Sequence, residues 1–168
     1  ESVLSRVDLQ DVASLEEASK SIRKLMADTP FPKVIEEEIN SNYQALAQVC
    51  GITDLPVAVR SSATAEDLPD ASFAGQQRTF LNIQGEDEVI AAVQECWASL
   101  FEPRAIFYRE QLGLDHLNVG IAVPVQRMVQ SEESGVMFTI EPVTNDEKIA
   151  IEAVYGLGEA VVSGGVTP

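Results

Sequence analysis

The chain has 168 residues, with 11 Lys+Arg against 27 Asp+Glu, giving a formal net charge of −16. That balance excludes a general binder of nucleic acid or of anionic membranes, which needs a clustered basic surface. Apolar residues make up 45% and charged residues 23%, ordinary globular usage, so the acidity sits on a chain that can bury a core rather than one that is disordered throughout. The length suits one domain or a piece of a larger one, and the opening on Glu1 with the end at Gly164-Gly165-Val166-Thr167-Pro168 reads as a cut through a longer protein. No apolar run is long enough to span a bilayer and no charged-then-apolar leader is visible, so a cytoplasmic setting is expected. Cys50 and Cys96 are isolated thiols without metal or disulfide spacing and read as small apolar residues.

Residues 1–54 read as helical. Ser14-Leu15-Glu16-Glu17 has the form of a capping box, after which Leu15, Ile22, Leu25 and Met26 recur at helical spacing until Thr29-Pro30 ends the helix near Asp28. A second helix is predicted from Pro32 to Cys50, with Val34, Ile35, Ile39, Tyr43, Leu46 and Val49 on one broad face and Gly51 as its C-cap. The pattern changes at Leu55. Pro56 to Ser61 is a short apolar run of strand type, and Ser61 to Arg78 is a long loop rich in small and polar residues. Thr79 to Ile83 reads as a strand, Glu86 to Leu100 as a helix with an acidic first turn, and Pro103 to Gln111 as another helix. Three β-rich runs follow, Val119 to Val129, Gly135 to Ile140 and Ile149 to Tyr155; their short polar links suggest an antiparallel meander. Gly156-Leu157-Gly158-Glu159 then interrupts the pattern.

The positive charges carry most of the chemical information. His116, the only histidine, lies after a predicted helix end and reads as an exposed or capping residue, which sets nucleophilic triads aside. No His/Asp/Glu cluster has metal-ligand spacing. All five basic residues between positions 34 and 147 are arginines: Arg60, Arg78, Arg104, Arg109 and Arg127. The planar guanidinium suits phosphate and carboxylate. Arg104 and Arg109 read as helix-surface partners of Glu102 and Glu110, whereas Arg60, at the end of a buried run and before the long loop, reads as a phosphate contact. Of the two glycine clusters, Gly156-x-Gly158 lacks the third glycine of a dinucleotide fingerprint and reads as a tight turn. Ala74-Gly75-Gln76-Gln77-Arg78-Thr79 could wrap phosphate oxygens with backbone N–H groups.

The stretch from Val57 to Gln77, including Arg60-Ser61-Ser62-Ala63-Thr64-Ala65-Glu66-Asp67-Leu68-Pro69, closely resembles the signature of the phosphoenolpyruvate synthases (pyruvate, water dikinases) in their N-terminal nucleotide-binding domain. The likeness continues through Cys96 to Phe101, Arg104-Ala105-Ile106, Tyr108-Arg109, Ser134 to Thr139 and Gly156-Leu157-Gly158-Glu159, covering roughly residues 55–168, while the first third matches loosely. The resemblance implies an α+β, ATP-grasp-like module with N-terminal helices and a mainly antiparallel sheet, related to pyruvate phosphate dikinase. It implies ATP as ligand with Mg²⁺, transfer of the β-phosphoryl group to a histidine on a separate domain with AMP and phosphate left, and passage of that group to pyruvate on a third domain.

Carried over by position, Arg60 resembles the arginine on the ATP phosphates, and Gly75, Gln76, Gln77, Arg78 and Thr79 the loop whose backbone covers them. Gln126 and Met128 fall where adenine contacts are expected, and Glu159 near the cleft. A lysine segment of Lys-Asn-Ala-Ser type has no counterpart, Arg127 stands where many relatives are expected to carry lysine, and the Mg²⁺ ligands are expected beyond Pro168, as are the phosphohistidine and pyruvate-binding domains. On this reading the slice alone does not turn over, and self-association of the parent is left open. Two other readings stand beside it: the nucleotide domain of a rifampicin phosphotransferase, and a degenerate, non-catalytic ATP-grasp module.

Overall fold

The computed structural model describes residues 2–63, 67–68, 71–72 and 78–165. The chain divides into two compact units, Glu1–Met128 and Val129–Pro168. Both mix helices with antiparallel strands.

In the first unit, α1 (Val12–Asp28) ends where Thr29-Pro30 forbids continuation. Its cap is Asp11, whose carboxylate accepts from the Ala13 N–H at 3.0 Å. The capping box expected at Ser14 is therefore not the start: an aspartate three residues earlier caps equally well and gains most of a turn. Ser14 Oγ instead accepts from the Asp8 N–H at 3.0 Å. Helix α2 (Lys33–Cys50) follows Pro32 and closes on Gly51, whose φ of 65° is left-handed, as expected. Its buried face is narrower than the sequence suggests. Val34 and Val49 are 76% and 86% exposed, and Tyr43 is the one fully buried residue of the helix.

Strand β1 (Val57–Arg60) continues into the two-residue β2 (Ser62–Ala63), and the loop beyond carries a short antiparallel pair, β3 (Asp67–Leu68) with β4 (Ala71–Ser72). Strand β5 (Thr79–Ile83), α3 (Glu86–Ala98), a single 3-10 turn at Ser99–Phe101 and α4 (Pro103–Gln111) follow in the predicted order. The run expected as one strand over 119–129 is two, β6 (Ile121–Ala122) and β7 (Val125–Arg127). Pro124 lies in the gap; it has no N–H for a ladder, and its carbonyl accepts from the Arg60 N–H at 3.1 Å. β1 is central in a three-stranded sheet, β5-β1-β7, antiparallel to both neighbours, while β6 pairs with β2.

One face of this sheet is the core. Val57 and Val59 are fully buried against Val89, Val93 and Cys96, whose spacing of three and four residues makes a stripe along α3. Burial pushes the Cys96 thiol up to about 11, so it is an unreactive packing residue, as its lack of partners in the sequence suggested. Strand alternation alone would send one of Phe80 and Ile83 outward, yet both pack against this core. A bulge reconciles them: Val59 opposes Phe80 but Val57 opposes Ile83, so β5 carries one extra residue there, and Asn82 takes a left-handed φ of 57°. Around the core, Phe31 stacks on Trp97 at 4.8 Å, Arg23 Nη2 meets Glu95 at 3.0 Å, and Gln94 Nε2 donates to the Met26 carbonyl at 2.6 Å.

In the second unit, β8 (Glu133–Phe138) and β9 (Ala150–Tyr155) pair over six positions, and α5 (Glu159–Val162) is a single turn of helix. The expected three-run meander is thus a hairpin of its last two runs, because the first is engaged by β1 and β2. Gly135 is required by packing: a Cβ there would stand 2.5 Å from the Glu152 carbonyl oxygen. The hairpin's open end is tied by two hydroxyls, Ser131 Oγ and Ser134 Oγ, which donate to the Gly156 carbonyl at 3.0 and 2.7 Å.

Tyr43 brackets the helical layer to the sheet. Its phenol donates to the Leu55 carbonyl at 2.9 Å and accepts from the Gly85 N–H at 3.0 Å, joining α2, the entry to β1 and the start of α3. Tyr43→Phe should cost about 1–3 kcal/mol in urea unfolding, since it strands a donor and an acceptor. An unchanged midpoint would show that the phenol only fills space.

Candidate functional site

The site builds from the face of the sheet opposite α3. With Val57 and Val59 turned into the core, Ala58 and Arg60 must turn the other way. Directly opposed residues of antiparallel strands share a face. Gln126 opposes Ala58 and Thr79 opposes Arg60, so Arg60, Thr79 and Gln126, all exposed, stand on one side of three adjacent strands. Three residues separated by as many as 66 positions in sequence are thereby brought onto one surface. Met128 lies at the end of the same face, its N–H bonded to the Pro56 carbonyl at 2.9 Å, and is 8% exposed. Gly75, Gln76 and Gln77 lie outside the described residues.

Arg78 differs from its neighbours. It opposes Ser61 across the end of the ladder, on the core side, and its Nε donates to Glu102 Oε1 at 2.7 Å. Its backbone can still serve the loop that it ends, but its guanidinium is spent on the cap position of α4. Glu159 opens α5 in the second unit and is exposed.

The remaining arginines correct the sequence reading. Glu102 is taken by Arg78 and not by Arg104, and Glu110 by His116 and not by Arg109. Arg109, expected on a helix surface, is 1% exposed. Its Nη2 donates to the Leu100 carbonyl, its Nε donates to His116 Nδ1 at 3.0 Å, and its guanidinium lies 5.6 Å from the centre of the Phe101 ring. Burial pushes it down to about 10, still charged at neutral pH. His116, expected to be exposed, is 9% exposed at its side chain, between Arg109 and Glu110 Oε1, 2.8 Å from Nε2. Helical spacing could not show this cluster, since the turn at Gly113 folds His116 back onto α4. The seven-residue separation of Arg109 and His116 across that glycine was the available signal.

An exposed guanidinium beside a hydroxyl and a primary amide, on a flat sheet face, can bind a polyanion that also carries hydrogen-bonding edges. Arg60, Thr79 and Gln126 include no general base. Such a set can position a reactant and neutralise its charge, which is what phosphoryl transfer asks of a protein. Among the described residues no three His, Cys, Asp or Glu side chains converge as a metal site. No described helix is long and apolar enough to cross a membrane.

Comparison with known proteins agrees with that chemistry. The family described as "Pyruvate phosphate dikinase, AMP/ATP-binding domain" matches residues 1–168. The chain belongs to this family. Similar relatives include the "Probable phosphoenolpyruvate synthase" of Methanocaldococcus jannaschii, 53% identical over 99% of this chain and 14% of the relative. That of Methanothermobacter thermautotrophicus is 54% identical over 99% of the chain and 24% of the relative. The "Phosphoenolpyruvate synthase" of Pyrococcus furiosus is 53% identical over 99% and 20% respectively. This dikinase-family domain thus spans between 14% and 24% of the length of these relatives. The family match includes the first 54 residues, where the sequence motifs resemble the family only loosely.

Because a guanidinium can only donate, His116 Nδ1 must accept from Arg109, leaving Nε2 to carry the proton toward Glu110. With one histidine in the chain, ¹⁵N spectra should show a bare Nδ1 and a protonated Nε2 for folded protein at neutral pH. The opposite tautomer would mean that the Arg109–His116 bond is not made.

Proposed function

We propose that the chain is the ATP-binding portion of a phosphoenolpyruvate synthase, the enzyme that converts ATP, pyruvate and water to phosphoenolpyruvate, AMP and phosphate through a phosphohistidine. The observation that carries this reading is the convergence of Arg60, Thr79 and Gln126 on one open sheet face in a chain of the dikinase AMP/ATP-binding family. The names of the relatives favour pyruvate as the final acceptor; nothing in the face itself favours rifampicin.

On this reading the helices of residues 1–54 buttress an ATP-grasp-like nucleotide-binding stretch over 55–168, in a cytoplasmic protein. Arg60 contacts the ATP phosphates. The backbone of Gly75, Gln76, Gln77, Arg78 and Thr79 covers them, Gln126 and Met128 border the adenine, and Glu159 lies toward the cleft. Mg²⁺ is expected to enter with the nucleotide. Its protein ligands are assigned elsewhere in the parent, as are the phosphohistidine and the pyruvate-binding domain. Catalysis is then by positioning and charge neutralisation, with Arg60 the one side chain here that opposes phosphate charge directly. The slice alone is expected not to turn over.

The full-length protein should release AMP and phosphate from ATP only when pyruvate is present. Arg60→Ala should abolish ATP-driven histidine phosphorylation with the fold intact by circular dichroism, because Arg60 is exposed and contributes little to the core. Release of ADP, or product formation without pyruvate, would overturn the reading; unchanged phosphorylation in the variant would take Arg60 out of the site.

A further inference from the structure

The placement of Arg78 goes beyond that reading while resting on it. Hydrogen bonds to Ser61 and Glu102 hold this residue. The Ser61 N–H donates to its carbonyl at 2.9 Å, its own N–H donates to Ser61 Oγ at 2.8 Å, and its Nε donates to Glu102 Oε1 at 2.7 Å. Ser61 is 4% exposed, so its hydroxyl acts as a fixed internal acceptor where the β1–β5 ladder ends. The next pair along that ladder is Arg60 opposite Thr79. Glu102 sits at the N-cap position of α4, directly before Pro103, with its backbone extended and its N–H bonded to the Ser99 carbonyl.

We propose that Arg78 and Glu102 are a pair of positioning residues for the nucleotide face. The guanidinium, turned away from that face, ties the first residues of β5 to the start of α4 and so fixes Thr79 against Arg60 without touching phosphate. A cation one residue from the phosphate-facing strand end thus serves geometry, and Glu102 keeps it from competing for the polyanion. The pair is partly exposed, with side chains 42% and 26% accessible, so its loss should leave the fold standing.

A double-mutant cycle in the full-length protein tests this, with ATP affinity measured by calorimetry, melting temperature recorded in parallel, and KM determined separately for ATP and pyruvate. Arg78→Met, Glu102→Ala and the double variant should each weaken ATP binding by about tenfold. The double variant should be no worse than either single one, with melting temperature and the KM for pyruvate unmoved. If Glu102→Ala binds ATP as well as wild type, or more tightly, while Arg78→Met loses affinity, Arg78 touches the nucleotide and the pair is not a positioning device. Additive losses in the double variant would overturn it equally. Wild-type protein that fails to bind ATP would overturn the nucleotide reading itself, a result distinguishable from either.

Discussion

Everything in the first unit depends on β1 passing from a dry core to an exposed end within four residues. Val57 and Val59 are fully buried, and Arg60, one position on, is exposed. Pairing on both edges is what makes this possible, because a central strand has its backbone groups satisfied laterally and is free to divide its side chains between two environments. The apolar side recruits α3 and, through Tyr43, α2. The polar side then inherits its composition from register: whatever opposes Ala58 and Arg60 must stand beside them. Gln126 and Thr79 are on the surface for that reason, without local sequence needing to mark them.

Local signals sufficed for most of what is decided locally, the start of α1 excepted, where Asp11 and not Ser14 is the cap. The Thr29-Pro30 stop, the Gly51 cap, the acidic start of α3 and Pro103 at the head of α4 act within a few residues, and each element lies where its sequence puts it, give or take the last turn. The larger departures come where a distant partner decides. Residues 119–129 look like one strand until Pro124 is seen as the place where pairing passes from β2 to β1, and the meander fails with it. Val34 and Val49 lie on an apolar face by periodicity, but α2 meets the rest of the unit over a narrower stripe. Arg60 was visible as a candidate because a polar residue ended an apolar run. The company it keeps was not, since strand register across 66 residues has no local signature.

The arginines show how little net charge says about a site. A balance of −16 describes the long-range field and bears on partners as large and charged as nucleic acid, whereas a nucleotide would meet one guanidinium and its immediate neighbours. Arg60, Arg78 and Arg109 are chemically identical in the sequence. The fold gives them three environments: an open face, an ion pair at a helix start, and a buried stack on Phe101 closed by a histidine. Burial and hydrogen-bond partners, which are tertiary properties, separate them.

The extra residue in β5 marks the place where the strand could absorb a change in length. Asn82 lets Phe80 and Ile83 point the same way, although three steps along an ordinary strand reverse direction. Deleting the extra residue between them would leave Phe80 and Ile83 two steps apart, still turned to the core in a ladder without the bulge. The pairs Val57–Ile83, Val59–Phe80 and Arg60–Thr79 would then stand opposed as they do now, so neither side of the sheet would change its residues. Across this family, the segment from Phe80 to Ile83 should therefore admit the loss of one residue more readily than a polar replacement of either core-facing side chain.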